Sequence, residues 1–445
     1  MKDSRRLQFH LMPPVGWLND PNGLCQFKGI YHVFFQYTSW DVLGGQKVWG
    51  HYTSKDLLSW NYKGVSLVPD QPYDKDGVFS GSALITQNKM YLFYTGNVEQ
   101  EGDYDYVYEG REGNTICVTS EDGEHYSPKN CLLRPENYPS NCSCHIRDPK
   151  VWQINNSYYM VLGGRTKNDV GMVLLYTSRD LTDWQFVKEI TTEKPFGYMW
   201  ECPDYINING KEFLSCSPQG VESEEFRFQN VYQSGYFTVE GELLKECKVH
   251  RFIEWDMGFD FYAPQTFVDD SGRRILIGWA GMADPAYTNP TTEAGWQHAL
   301  TVPRELTERN GILYQTPVKE LEQLRKKQYM VTPGERLLFG KDIFEVLVSD
   351  VKTRVCEITI AMDVHIRFEK EVIRLFFTND CGSGRTERKA KLSSLKSIRI
   401  LVDTSLMEIY INEGELVFTT RYYKTIEGNS LEVVCEDCNI IAWEL

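Results

Sequence analysis

Five segments of the chain share one form, and that repetition limits the fold more than any other feature. Each begins at a small or acidic residue beside a proline or glycine, runs as a strand, turns at polar residues and returns as an aromatic strand. They span residues 20–37, 80–96, 148–164, 202–218 and 263–279, with starts 60, 68, 54 and 61 residues apart. A second element, Thr-Ser-x-Asp followed by an aromatic residue, recurs between them at residues 53–60, 119–126 and 177–184. Four strands per period of about 60 residues is the signature of a β-propeller, so the five hairpins predict five blades over residues 1–315.

A 3.6-residue pattern is almost absent, which makes the chain all-β. One stretch, 319–327, reads as helical through Leu321 and Leu324 and predicts a linker over 316–327. Beyond it, alternating strands at 342–351, 356–368, 372–378, 397–410 and 431–445 predict a C-terminal β-sandwich over 328–445.

The innermost strand of each propeller blade lines the central channel, so acidic residues at the starts of different repeats converge although they are distant in sequence. Asp20, Asp148 and Glu201 stand at such starts. Any one of them alone reads as a turn carboxylate. Three in one funnel can cleave a glycosidic bond, which needs one carboxylate at the anomeric carbon and a second carboxyl to protonate the leaving oxygen. Asp20 lies among Trp17, Asn19 and Asn22, whose donors favour an ionised nucleophile, whereas Met199, Trp200 and Cys202 give Glu201 an apolar setting that raises its pKa. Arg147 is placed to pair with a substrate oxygen or with a carboxylate. Asp204, Asp256 and Asp260 read as turn carboxylates with structural roles.

The formal charge of −15 repels polyanions and excludes nucleic acid as a partner. Aromatics at 13% suit a polyhydroxylated ligand instead, because ring faces stack on sugar C–H surfaces. No run reaches the roughly 20 apolar residues of a membrane span, and the N-terminus lacks the apolar stretch of a secretory signal, so a cytoplasmic protein without a membrane partner is expected. In that compartment the twelve cysteines are reduced thiols and the sequons at Asn141 and Asn155 are chance matches. Cys142, Cys144 and His145 could join Cys435 and Cys438 at a zinc ion, but Cys-x-Cys-His is not a usual ligand spacing, and no metal is expected. A thiol role in structure is likewise favoured over redox work for Cys435 and Cys438.

Phe9-His10, Pro13-Pro14 and Trp17-Leu18-Asn19-Asp20-Pro21-Asn22-Gly23 together resemble the signature of the invertase family of β-fructosidases, glycoside hydrolase family 32. Phe35-Gln36-Tyr37, Trp49-Gly50-His51, Phe79-Ser80-Gly81-Ser82-Ala83, Arg147-Asp148-Pro149, Trp200-Glu201-Cys202-Pro203 and Asp260-Phe261-Tyr262-Ala263-Pro264-Gln265 follow in the family's order. Residues 401–413 resemble its C-terminal sandwich. The resemblance implies Asp20 as nucleophile, Glu201 as general acid and base, and Asp148 as a transition-state stabiliser. It implies a fructose pocket of Asn19, Gln36, Trp49, Phe79, Ser80 and Arg147, with Trp17 and Leu18 beside them and Cys202 tuning Glu201. Trp279 is either core or a wall of the leaving-group site. No metal or organic cofactor is implied, and the expected partner is a small-molecule fructoside.

The loop between Gln36 and Trp49 departs from the family pattern, placing Trp40 and Lys47 where they flank the leaving-group site. Lys47 is either a phosphate ligand or a solvated surface lysine. A cytoplasmic member resembling this family is expected to act as a retaining β-fructofuranosidase on sucrose 6-phosphate, on sucrose, or on both. The alternatives are hydrolysis of unphosphorylated short fructo-oligosaccharides, fructosyl transfer to a sugar acceptor, and a non-catalytic fructoside-binding propeller. Arabinoside- and xyloside-cleaving propellers also place three carboxylates in the funnel, but they lack the Trp-Leu-Asn-Asp-Pro-Asn-Gly and Trp-Glu-Cys-Pro contexts.

Overall fold

The computed structural model describes residues 3–425 and 428–445, and its regular structure is strand apart from four short 3₁₀ turns. Met1 and Lys2, the first residues of the predicted propeller, lie outside the described residues. Five antiparallel sheets, each built on four strands, follow one another along the chain. Their first strands are Gly16–Phe27, Gly77–Thr86, Cys142–Ile154, Met199–Ile208 and Tyr262–Val268. Each packs on the next, and the last returns to the first, so the inner strands enclose an axis. Parallel pairing of Gly16 with Trp296 and Trp17 with Gln297 fastens the end of this propeller to its beginning.

The inner strands are bulged at the same level. Two residues oppose one on the neighbouring strand: Asn19-Asp20 against Gln36, Phe79-Ser80 against Thr95, and Asp148-Pro149 against Leu162. The same holds for Cys202-Pro203 against Cys216 and Ala263-Pro264 against Gly278. Proline has no N–H for the ladder, and Asp148, Cys202 and Ala263 adopt φ of 64°, 47° and 46° in front of it. Such bulges re-aim side chains, here toward the axis. The Thr-Ser-x-Asp element closes the third strand of the first three sheets. Asp56, Asp122 and Asp180 each accept two backbone N–H groups of the turn that follows.

The predicted helix is a 3₁₀ turn, Lys319–Leu324, between the strand ending at Pro317 and the sandwich strand starting at Gln328. Leu321 and Leu324 pack on the propeller's apolar cluster, but two apolar contacts hold only one short turn. Two six-stranded sheets then form the sandwich around a core that includes Phe344, Ile358, Ile366, Ile400, Ile409 and Leu431. Three of the predicted strands are each two strands. They break at Ala361-Met362, at Thr404-Ser405 and between Val434 and Asn439. The architecture is all-β, a β-propeller followed by a β-sandwich.

Asp256 and Asp260 are anchors between the two halves rather than turn carboxylates. Asp256 accepts Thr419 N–H at 2.7 Å and pairs with fully buried Arg304, which also binds Glu408 at 2.6 Å. Asp260 pairs with Arg385 at 2.7 Å and accepts Arg421 N–H. Asp204 lies inside the propeller, where it pairs with Lys150 at 3.2 Å and accepts Thr266 N–H. Cys142 packs in a propeller core and Cys435 in the sandwich core, so the two cysteine pairs weighed as one zinc site belong to different cores.

Candidate active site

Aligning the repeats on their prolines puts Cys202, not Glu201, at the position of Asp20 and Asp148. Glu201 lies one residue earlier, level with Arg147 and Tyr262. The funnel accordingly has two tiers. In the inner tier Asp20 closes a ring of hydrogen bonds: Asn19 Nδ2 donates to Asp20 Oδ1 at 3.0 Å and to Gln36 Oε1 at 2.9 Å. Gln36 Nε2 donates to Ser80 Oγ at 2.6 Å, and Ser80 Oγ to Asp20 Oδ2 at 2.5 Å. Trp17 Nε1 fixes Asn19 from behind at 2.7 Å. Cys202 N–H donates to Asp148 Oδ2 at 2.9 Å, while its Sγ lies 3.6 Å from Asp20 Oδ2 and 3.7 Å from Asp148 Oδ2.

The outer tier is centred on Glu201. Its Oε1 accepts Arg147 Nη2 at 2.6 Å and Nε at 3.2 Å, and its Oε2 accepts Tyr262 Oη at 2.6 Å and Gln219 Nε2 at 2.8 Å. The expected apolar setting is therefore wrong. Successive side chains of a strand point opposite ways, so fully buried Trp200 packs against Phe237 in the core while Glu201 faces the donors of the funnel.

Burial raises the Asp148 carboxyl to about 7; Arg147 opposes this and Glu201 and Asp20 reinforce it. Burial also raises Asp20, against the hydrogen bonds from Ser80 and Asn19 and with the field of Glu201. The donors expected from sequence to hold Asp20 ionised are outweighed by desolvation. Desolvation therefore favours the protonated form of Asp148 up to near-neutral pH.

Of the residues assigned to the pocket, Asn19, Gln36, Ser80, Arg147 and Cys202 hold the carboxylates, and Trp17 and Phe79 stand half-buried beside them. Trp49 is 0% exposed; its ring packs with Phe34 and Tyr94, and its Nε1 donates to Phe79 O at 3.0 Å, so it supports the wall from behind. Leu18 is fully buried in the neighbouring apolar cluster, because strand alternation turns it away from the funnel. Trp279 is core, packed edge-on against the ring of His298. Trp40 is exposed on the loop above.

Three residues escaped the sequence reading. Tyr262 carried a signal, since it precedes the Ala-Pro of the fifth repeat as Glu201 precedes Cys202-Pro203. His145 alternates with Arg147 along one strand and accepts its Nη1 at 2.6 Å; burial, with Arg147 adding to it, lowers its pKa to about 3 and keeps the ring neutral. Gln219 carried none, because only the pairing of Met199 with Gln219 brings it to Glu201.

Residues 10–317 match the model for the glycosyl hydrolases family 32 N-terminal domain, and residues 364–439 match that for the family's C-terminal domain. The chain belongs to glycoside hydrolase family 32. It is 39% identical over 439 residues to the sucrose-6-phosphate hydrolase of Bacillus subtilis (strain 168), covering 95% of this chain and 89% of that protein. It is 36% identical to the raffinose invertase of Escherichia coli, covering 96% and 91%. Among solved structures, the sucrose-6-phosphate hydrolase of Lactobacillus gasseri superposes with a TM-score of 0.92 at 26% identity, covering all of this chain and 94% of that one. A variant of the Bombyx mori GH32 beta-fructofuranosidase in complex with sucrose superposes at 0.88 with 30% identity, covering 100% and 95%. This family 32 chain is a glycoside hydrolase. No helix among its described residues is long and apolar enough to cross a membrane.

Proposed function

We propose that the enzyme is a retaining β-fructofuranosidase that hydrolyses sucrose 6-phosphate, and more slowly sucrose, releasing fructose. The observation that carries this is the meeting of Asp20, Asp148 and Glu201 around Cys202, two on the inner tier and one on the outer. Asp20, aimed by Asn19 and Ser80, attacks the fructosyl anomeric carbon. Glu201, oriented by Arg147, Tyr262 and Gln219, gives its proton to the departing glycosidic oxygen. Water then attacks the fructosyl ester of Asp20 with Glu201 as base, so the configuration is retained. Asp148, beside Asp20 and held by Cys202 N–H, accepts from fructose hydroxyls as positive charge grows on the ring. The names of the relatives support the phosphorylated substrate, and the sucrose complex supports the sugar.

The deciding experiment compares kcat/KM for fructose release from sucrose, sucrose 6-phosphate and 1-kestose, with Asp20→Asn as the blank. Fructose of retained configuration, seen by NMR at early times and absent with Asp20→Asn, supports the assignment. A tenfold or greater preference for the phosphorylated sugar supports the substrate, and faster turnover of sucrose or kestose refutes it.

A further inference from the structure

Lys47 ends the loop that departs from the family pattern, and its surroundings are not those of a solvated lysine. The Nζ lies 5.0 Å from the centre of the Trp17 ring, whose Nε1 holds Asn19 and through it Asp20. The turn before it is shaped for this approach: Gly44 has φ +100°, and a Cβ there would stand 3.2 Å from Lys47 Nζ and 3.6 Å from Trp17 Cδ2. The side chain is half-buried, and among the described residues no carboxylate lies within 4 Å of its ammonium. Burial lowers its pKa to about 8, with Asp20 and Asp41 pulling the other way from longer range.

Among the described residues, three other basic groups around the funnel are unavailable. Arg147 is bonded to Glu201, Arg385 to Asp260, and His298 is held far below its usual pKa by burial, with Arg421, Arg385 and Lys47 adding to it. A chain of charge −15 that binds a dianionic sugar phosphate needs a local cation to offset that repulsion. A half-desolvated ammonium without a counter-charge gains most from such a partner, and lysine binds phosphate as a point charge with three donors.

We propose that Lys47, seated on Trp17 by the Gly44-Gly45 turn, recognises a phosphomonoester dianion on the leaving-group sugar and so determines specificity. This rests on the substrate reading above and names the residue that enforces it. The test is the ratio of kcat/KM for sucrose 6-phosphate to that for sucrose in the wild type, Lys47→Met, Lys47→Gln and Lys47→Arg. Competitive inhibition by glucose 6-phosphate, measured against glucose, is read alongside. A wild-type ratio of ten or more that falls at least tenfold in Lys47→Met and Lys47→Gln through KM, with partial retention in Lys47→Arg, is the expected result. Inhibition by glucose 6-phosphate weakens in the same two variants. A high wild-type ratio unchanged in both overturns the assignment to Lys47 alone. A wild-type ratio of one or below overturns the substrate reading, and this proposal with it. Using a ratio keeps the result independent of a general loss of active enzyme.

Discussion

Tyr262 donates its phenol hydroxyl to Glu201 Oε2 at 2.6 Å, so the proposed acid and base is oriented from the fifth inner strand as well as by Arg147 from the third. A hydrogen bond to a carboxylate favours the ionised form. Tyr262→Phe removes it while leaving the Arg147 and Gln219 contacts in place. The expected outcome is a kcat lower by roughly 3- to 30-fold with KM little changed. An unchanged kcat would show that Tyr262 only packs.

Asp148 holds φ 64°, is 4% exposed and has its carboxyl raised to about 7. A carboxyl raised by burial binds its proton more tightly in the folded state than in the unfolded one, so stability falls as pH rises from the unfolded value of 3.8 to about 7. Asp148→Asn removes that penalty, and its amide oxygen still accepts Cys202 N–H. At pH 8 the variant is expected to melt on the order of 2–4 °C above the wild type, with the gap closing toward pH 4. Its kcat/KM falls by about 10²- to 10³-fold. Loss of both activity and stability at pH 8 would contradict the account.

A second pH dependence belongs to the seam between the propeller and the sandwich. Both ring nitrogens of buried His10 face carboxylates, Nδ1 to Asp403 Oδ2 and Nε2 to Glu408 Oε1, each at 2.9 Å. Only the imidazolium donates at both. Burial lowers the His10 pKa, but the hydrogen bonds to Asp403 and Glu408 outweigh it and the value is raised above 6.5. The stability it contributes is full below that unfolded value and is lost as pH rises through the folded one. Thermal melts from pH 6 to 10 are expected to decline on the alkaline side in the wild type and to flatten in His10→Gln. At pH 6 that variant is less stable by about 3–5 kcal/mol, because buried Asp403 loses its cationic partner and Glu408 keeps only Arg304. Parallel alkaline slopes would assign the dependence elsewhere.

What could be read in the sequence follows from how locally each feature is specified. Asp20 and Asp148 were legible because an acidic residue before a proline recurs at matching points of a repeat, and the same bulge turns both to the axis. Gln36 was legible through the resemblance, and its alternation with Phe35 and Tyr37 turns it to the opposite face from those rings. Reading the setting of Glu201 from its neighbours failed because strand neighbours face opposite ways. Trp49 matched the family's order but lies behind the wall, and Trp279, open in the sequence between core and wall, is core, since order along the chain does not say how deep a ring is buried. The strand Glu387–Lys391 went unseen: it is an edge strand of mostly charged residues, with no apolar alternation to mark it. Gln219 and His298 reach the site only through pairings between distant segments.

His298 is fully buried, both ring nitrogens lack a partner among the described residues, and its φ is 71°. An unpaired buried imidazole is costly and needs a reason. Its ring stands edge-on between Trp17, at 4.4 Å, and Trp279, at 4.9 Å. The short strands on either side of it pair with Gly16-Trp17 and with Trp279-Ala280. The imidazole is thus a spacer that sets where Trp17, and through it Asn19, stands. His298→Ala leaves a cavity behind Trp17 and is expected to destabilise by about 2–4 kcal/mol and to raise KM several-fold more than it lowers kcat. His298→Phe keeps the edge-on contact and removes both unpaired nitrogens, so it restores KM and melts at or above the wild type. If the phenylalanine variant behaves like alanine, the nitrogens themselves do the work and the spacer account fails.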